Sequence, residues 1–171
     1  RFYVPGPWTS DRITFPEKAS HHAMRVLRMR NGDEAEVFDG EGRTARGRTE
    51  FSSEGTVLIA ESYPEHGRES PLFITLAQAF VSPDKMEWIT EKAVEAGASR
   101  IVFFPAARSV TKLSGDKLTK RLEKLRATAV SACEQCGRSR IPEIEAFASA
   151  EAMLSGLNAD ARVILAPSSD P

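Results

Sequence analysis

The chain of 171 residues carries 41% hydrophobic and 27% charged residues, a globular mix that excludes wholesale disorder, collagen-like sequence and fibrous coiled coil. Its 23 basic and 24 acidic residues give a net charge of −1, so attraction to a polyanion has to come from local segregation of charge. The longest apolar run, residues 101–107, is interrupted by Pro105 and falls far short of the roughly 18 residues of a membrane span.

The start, Arg1-Phe2-Tyr3-Val4-Pro5, lacks the basic-then-apolar order of a secretory signal. Residues 12–63 read as a small, mostly β module with one helix. Pro16 sits where a first-turn proline belongs, and Ala23, Val26, Leu27 and Met29 recur near helical spacing over residues 17–29, until Asn31-Gly32 stops them. Short strands follow at 34–38, 43–51 and 56–60, with Asp39-Gly40-Glu41-Gly42 as the first turn, the pattern of a small barrel. Residues 64–71, polar and bracketed by prolines, mark the boundary between two modules.

Beyond the boundary the pattern changes. Residues 72–80 read as a buried strand, too short and too apolar for a surface helix. Ser82-Pro83 opens a helix that runs to Glu95 and is closed by Gly97. A second strand follows at 100–105. The longest helix, 116–136, places Leu118, Leu122, Leu125, Ala129, Ala132 and Cys136 at steps of three and four, with Gly137 at its stop. A helix at 150–157, capped by Ser149, leads to a third strand at 162–166. The order of elements predicts an α/β module with a parallel sheet covered on both faces. Its ligands are expected at the C-terminal ends of the strands.

Charge is segregated along the chain. Residues 100–140 hold ten Lys/Arg against three Asp/Glu, residues 141–171 one Arg against five acids, and Arg25, Arg28 and Arg30 form a second basic knot. This is the footprint of a phosphate-binding surface, although long helices also carry solvated basic faces.

Cys133-Glu134-Gln135-Cys136 has the spacing of half a zinc site or a redox dithiol. It has no second Cys pair, and His21, His22 and His66 are distant in sequence; the pair also ends a helix instead of beginning one. Buried small residues and no metal are expected. Two cysteines make no disulfide framework, so reduced thiols in the cytoplasm are the default. There is no nucleophile elbow, no dinucleotide-binding glycine loop and no P-loop. His21-His22, ahead of two arginines, fit a surface contact to RNA or a partner better than general-base work.

What remains is arginine at defined places. Arg25 and Arg28, three apart on a helix, share a face and suit neighbouring phosphates. Arg108-Ser109 follows the second strand, on the ligand side of a parallel sheet, and Arg138 and Arg140 follow the long helix. Each has a capping or ion-pairing alternative; together they favour RNA. An RNA-binding or ribosome-assembly module without catalysis fits these residues as well as an enzyme does.

The strings His22-Ala23-Met24-Arg25-Val26-Leu27-Arg28, Phe38-Asp39-Gly40, Lys85-Met86-Glu87, Glu95-Ala96-Gly97, Arg108-Ser109 and above all Ala132-Cys133-Glu134-Gln135-Cys136-Gly137-Arg138-Ser139-Arg140 resemble the small-subunit rRNA methyltransferase E family. The resemblance implies a PUA-like RNA-binding barrel over 1–70 and, over 71–171, the first part of a SPOUT methyltransferase domain, whose trefoil knot would follow. It implies transfer of a methyl group from S-adenosyl-L-methionine to N3 of a uridine in 16S rRNA of the small ribosomal subunit, by a homodimer in the bacterial cytoplasm. Arg25, Arg28, Arg108 and Arg138 are then the expected RNA contacts, and no general base is named. The family's Gly-Pro-Glu-Gly-Gly donor loop and its later Leu-Gly-x-Arg segment have no counterpart in this sequence. The chain is thus expected to be an inactive portion of a longer protein, in which Leu165, Ala166 and Pro167 reach the rim of the cofactor site by position.

Overall fold

The computed structural model describes residues 1–53, 55–64, 69–107, 109 and 113–165. The first sheet comprises β1 (Phe2–Tyr3), β2 (Arg12–Thr14), β3 (Glu34–Phe38), β4 (Thr44–Ser52) and β5 (Gly55–Ser62), in the order β1-β3-β4-β5-β2. All neighbours are antiparallel except the pair β1 and β3. Along β4 the small residues Ala45, Gly47 and Thr49 are buried while Arg46, Arg48 and Glu50 face water, the period of two that turns one face of a sheet inward. The β4/β5 register slips between Arg46 and Gly47. There the strands run so close that a Cβ on Gly47 would lie 1.8 Å from the Ile59 carbonyl oxygen. Such a slip sharpens the local twist, and the sheet curls into a half-barrel around Phe2, Ile13, Phe15, Ala23, Val37 and Leu58.

The second sheet is three parallel strands, β6 (Thr75–Ala79), β7 (Arg100–Phe104) and β8 (Glu143–Ala146), in that order. Helix α2 (Pro83–Glu95) joins β6 to β7, and α3 (Gly115–Cys136) joins β7 to β8. Pro83 starts α2, and Gly97, at φ +92°, lets the chain turn back after it. Gly137, at φ +86°, does the same for α3 and donates its N–H to the Cys133 carbonyl at 3.1 Å. Helices α2 and α3 pack together, and Met86, Val94, Leu125 and Ala129 meet Ile101 and Phe103 of β7 in one core. Val102, also buried, points by strand alternation to the opposite face. There α4 (Ala150–Gly156), its first turn capped by Ser149 Oγ accepting from the Ala152 N–H at 3.1 Å, contacts β7.

The two cores share a wall. Phe2 and Val37, opposite each other across β1 and β3, face the half-barrel core, while the next pair, Tyr3 and Phe38, packs into the core of the parallel sheet.

Three expectations change. The third strand of the parallel sheet is β8, not residues 162–166: β6 and β8 occupy both edges of β7, and residues 161–165 are exposed without a ladder partner among the described residues. The first strand of that sheet begins at Thr75, because its ladder starts at the Thr75/Arg100 pair, and Leu72, Phe73 and Ile74 stay exposed. The helix expected over 17–29 is split into α1 (Glu17–His21) and a π-helical turn, His22–Val26. Among the described residues no helix is long and apolar enough to cross a membrane.

Candidate nucleic-acid interface

Helix α1 is tied down on one side only. Ser20 is buried and its hydroxyl meets that of Thr56 on β5 at 2.5 Å, and Ala23, fully buried, inserts into the half-barrel core. Of the remaining side chains, His21, Met24, Arg25, Val26 and Leu27 point to water, while His22, exposed on one side, sets its ring edge-on to Phe2 at 6.1 Å. The helix widens here: the Leu27 N–H reaches back five residues to the His22 carbonyl at 3.0 Å, and the Met29 N–H reaches the Ala23 carbonyl at 3.0 Å. Between them Arg28 takes φ +54°, a left-handed conformation that costs a side-chain-bearing residue roughly 1–2 kcal/mol. π turns and such φ values concentrate at functional sites. Arg25 and Arg28 therefore do not share a helix face as expected; they are exposed side chains of one tight turn, and Arg30 follows on the same exposed segment.

The loop beyond is fixed by its own polar groups. Asp33 Oδ2 accepts the Arg30 N–H at 2.8 Å, and Asn31 Oδ1 accepts the Phe51 N–H at 2.6 Å. Electrostatics then separate this segment from the rest of the half-barrel. Arg12 pairs with Glu50, Arg46 with Glu36, and Arg48 with Glu34 and Glu61, whereas Arg25, Arg28 and Arg30 make no side-chain hydrogen bond or ion pair among the described residues. A groove of about 620 Å³ beside them, lined by Asn31, Arg48, Phe51 and Glu61, carries arginines that are already neutralised. Lys18 and Arg43 are likewise exposed without an ion pair among the described residues, Arg43 lying 5.5 Å over the Trp8 ring; the turn is where three such arginines gather.

Arg138, expected at the RNA, has another task. It is only 7% exposed, and its guanidinium is used throughout: Nη1 donates to the Val94 and Ala98 carbonyls at 3.0 and 2.7 Å, and Nε and Nη2 donate to Glu69 Oε2 at 3.0 and 2.8 Å. Glu69 Oε1 accepts the N–H groups of Ser139 and Arg140, each at 3.0 Å. Burial pushes the Glu69 carboxyl up, but the Arg138 bonds and the backbone donors of Arg140 and Ser139 outweigh it and hold the group below its usual range. A phosphate cannot reach Arg138. Arg108 lies outside the described residues; its neighbour Ser109 is structural, its hydroxyl donating to the Phe80 carbonyl at 3.1 Å and accepting the Ala106 N–H at 3.1 Å.

Cys133 is fully buried, and burial pushes its thiol up to about 12; Cys136 is partly buried. Among the described residues no group of three His, Cys, Asp or Glu side chains could hold a metal ion. Of the positions expected at the cofactor rim, Ala166 and Pro167 lie outside the described residues and Leu165 is 95% exposed. At the C-terminal end of β6 and β7 the Ser109 hydroxyl is already committed. Sequence reasoning missed two contacts, Glu69 with Arg138 and Glu134 of α3 with the Tyr3 N–H, because they join residues 69 and 131 positions apart with no local signature.

Residues 68–171 match the RNA methyltransferase domain family and residues 15–60 the PUA domain of RNA methyltransferases. The first match covers most of the chain, which belongs to the RNA methyltransferase domain family. Its relatives there are small-subunit rRNA methyltransferases E, as the Cys-Glu-Gln-Cys-Gly-Arg string implied. The ribosomal RNA small subunit methyltransferase E of Bacillus subtilis is 34% identical over 126 residues, which is 72% of this chain and 49% of that protein. The enzyme of the same name from Mycobacterium tuberculosis is 35% identical over 128 residues, 72% of this chain and 47% of that protein. The chain thus spans about half the length of these relatives. Among solved structures, a methyltransferase from Legionella pneumophila in complex with the cofactor SAM superposes with a TM-score of 0.91 at 28% identity, covering 100% of this chain and 72% of that one. The ribosomal RNA small subunit methyltransferase E of Neisseria gonorrhoeae, bound to S-adenosyl methionine, gives 0.75 at 30% identity over 85% of this chain and 62% of that one.

Proposed function

We propose that this chain is the RNA-holding and first catalytic-domain portion of an enzyme that methylates N3 of a uridine in 16S rRNA, with S-adenosyl-L-methionine as donor. The reading divides it into a PUA-like module over 1–70 and the start of a knotted SPOUT domain over 71–171, working as a homodimer in the cytoplasm on the small ribosomal subunit. The observation that carries it is the exposed turn with three arginines, Arg25, Arg28 and Arg30, unpaired among the described residues, in a chain that matches RNA methyltransferases over 68–171. Arg25 and Arg28 grip RNA phosphates, with Arg30 beside them; Arg108 is kept as a further contact and Leu165, Ala166 and Pro167 as the rim of the donor site.

Methyl transfer to a uracil nitrogen needs N3 to lose its proton as it attacks and needs the nitrogen in line with the methyl carbon. Holding the two in that geometry removes much of the barrier, up to about 7–11 kcal/mol, and a uridine inside folded RNA has to be extruded first. S-adenosyl-L-methionine supplies the methyl group when bound; the residues of this chain supply the grip on the RNA. The test is methyl incorporation by the protein containing this chain into small subunits from a strain lacking its gene. Labelled methyl on a single uridine N3 supports the reading, and unlabelled rRNA overturns it.

A further inference from the structure

The turn that follows α3 gathers four separate parts of the chain. The Tyr3 N–H donates to Glu134 Oε1 at 2.9 Å. Arg1 Nη1 donates to the Cys133 and Arg138 carbonyls at 2.7 and 2.6 Å, and its guanidinium lies 4.2 Å over the Phe38 ring. The turn between β3 and β4 bonds the other side: Gly42 N–H to the Ser139 carbonyl at 3.1 Å, Ile141 N–H to the Gly40 carbonyl at 3.0 Å. Gly40 is left-handed, at φ +87°, and a Cβ there would lie 2.9 Å from Ile141 Cδ1 and 3.0 Å from Tyr3 Cε2, so the side chains of both neighbours close over it. Glu69, at the entry to the parallel sheet, and the C-terminal end of α2 are held through Arg138.

The Arg138 bonds to Val94 and Ala98 stay within the α/β module and the Arg1–Phe38 contact within the half-barrel; the other ties cross between the half-barrel and the parallel sheet or fix the segment that joins them. Tyr3 and Phe38 of the half-barrel sheet already pack into the helix-covered core, and the polar ties add direction to that apolar contact. They are directional and partly buried, the kind of bond that sets geometry.

We infer that Glu134 and Arg138, with Glu69, are positioning residues that hold the RNA-gripping half-barrel at one fixed orientation to the parallel sheet. The inference rests on the proposed RNA methylation: RNA held at Arg25 and Arg28 is presented to the catalytic domain in a set register only if this junction does not swing. A displacement of about 1 Å of one reactant costs on the order of 100-fold in rate, so the junction acts on turnover and not on either binding step.

The test uses the full-length protein with Cys136→Ala and spin labels at Thr14→Cys on β2 and Lys120→Cys on α3, both exposed; Cys133, buried with its thiol pushed up to about 12, does not compete for label. The loosened variant combines Glu134→Ala with Glu69→Gln, which keeps a polar acceptor for Arg138. The conservative variant is Glu134→Gln alone, which keeps the acceptor for Tyr3. The expected result is a narrow label-to-label distance distribution in the parent and the conservative variant and a broadened one in the loosened variant. Alongside it, kcat falls tenfold or more, on the order of the misplacement effect above, while the KM for RNA and the affinity for S-adenosylmethionine change less than about twofold. An unchanged distribution in the loosened variant overturns the inference, as does broadening with kcat unaltered. If the parent itself transfers no methyl group to rRNA, the functional reading fails, while the distances still decide whether the junction is rigid.

Discussion

Glu69 and Arg138, 69 residues apart, are joined by two hydrogen bonds from the guanidinium to one carboxylate oxygen, while the other oxygen takes the backbone N–H groups of Ser139 and Arg140. The pair is largely buried, with side-chain exposures of 8% for Arg138 and 18% for Glu69. Both charges are therefore answered inside the protein, and neither can be removed without leaving the other exposed to a poor dielectric.

The first prediction follows from the direction of the Glu69 shift. Its carboxyl is held below the ordinary value of 4.5 in the folded chain, so the folded state binds its proton more weakly than the unfolded state. The stabilisation is fully present above that ordinary value and is lost as pH falls through the depressed one. Urea unfolding followed from about pH 6 down to about pH 3 should show stability falling with acid, and Glu69→Gln should flatten that limb while lowering stability at neutral pH. An acid limb as steep in Glu69→Gln as in the parent assigns the loss to other carboxylates.

Cys133 should behave as a buried methyl-sized group with a neutral thiol. Its pKa, pushed up to about 12 by burial, leaves almost no thiolate at neutral pH, so iodoacetamide should modify Cys136 well before Cys133 in the folded protein. Because the raised pKa disfavours ionisation only in the folded state, the same thiol lowers stability as pH rises above the ordinary value of 9. Cys133→Ala should cost about 1 kcal/mol. Rapid modification of Cys133 at pH 7 contradicts the buried-thiol assignment.

Gly47 makes the half-barrel possible. With its missing Cβ position 1.8 Å from a backbone oxygen, Gly47→Ala forces β4 and β5 apart where their register slips. The expected cost is more than about 3 kcal/mol, read as loss of the cooperative melt, and a melt within about 1 kcal/mol of the parent shows that the strands can part without penalty.

The strands and helices with strong periodic patterns were legible from residues alone. Strand β3 coincides with the predicted 34–38, α2 starts at Pro83, and α3 starts one residue before the predicted 116 and ends at Cys136 as expected. What misled was an apolar run that stays exposed and forms no ladder among the described residues. Val163, Ile164 and Leu165 look more like a strand than Glu143-Ile144-Glu145-Ala146 does, yet the latter pairs with β7, with Ile144 opposite Ile101 in the core and Arg100 forming ion pairs with both Glu143 and Glu145. Charge complementarity between strands is invisible until the pairing is known. The arginines divide in the same way: Arg25 and Arg28 are exposed as the basic knot implied, whereas the burial of Arg138 depends on Glu69, which no local pattern connects to it.

The last prediction separates these arginines. Arg25 and Arg28 are exposed and, among the described residues, unpaired, so Ala at each should weaken binding to a small-subunit rRNA fragment and reduce the slope of log affinity against log salt by about 0.7–0.9 per lost phosphate contact. Arg138 is enclosed, so its replacement should lower thermal stability without a comparable change in that slope. Arg28 offers a further control, because its left-handed φ of +54° suits glycine better than alanine. Arg28→Gly should be more stable than Arg28→Ala by about 1 kcal/mol while binding RNA equally poorly, which dissociates the loss of charge from any loss of fold. Equal salt slopes for the parent, Arg25→Ala and Arg28→Ala place the phosphate grip elsewhere on the protein, and the turn would then be an ordinary cationic surface.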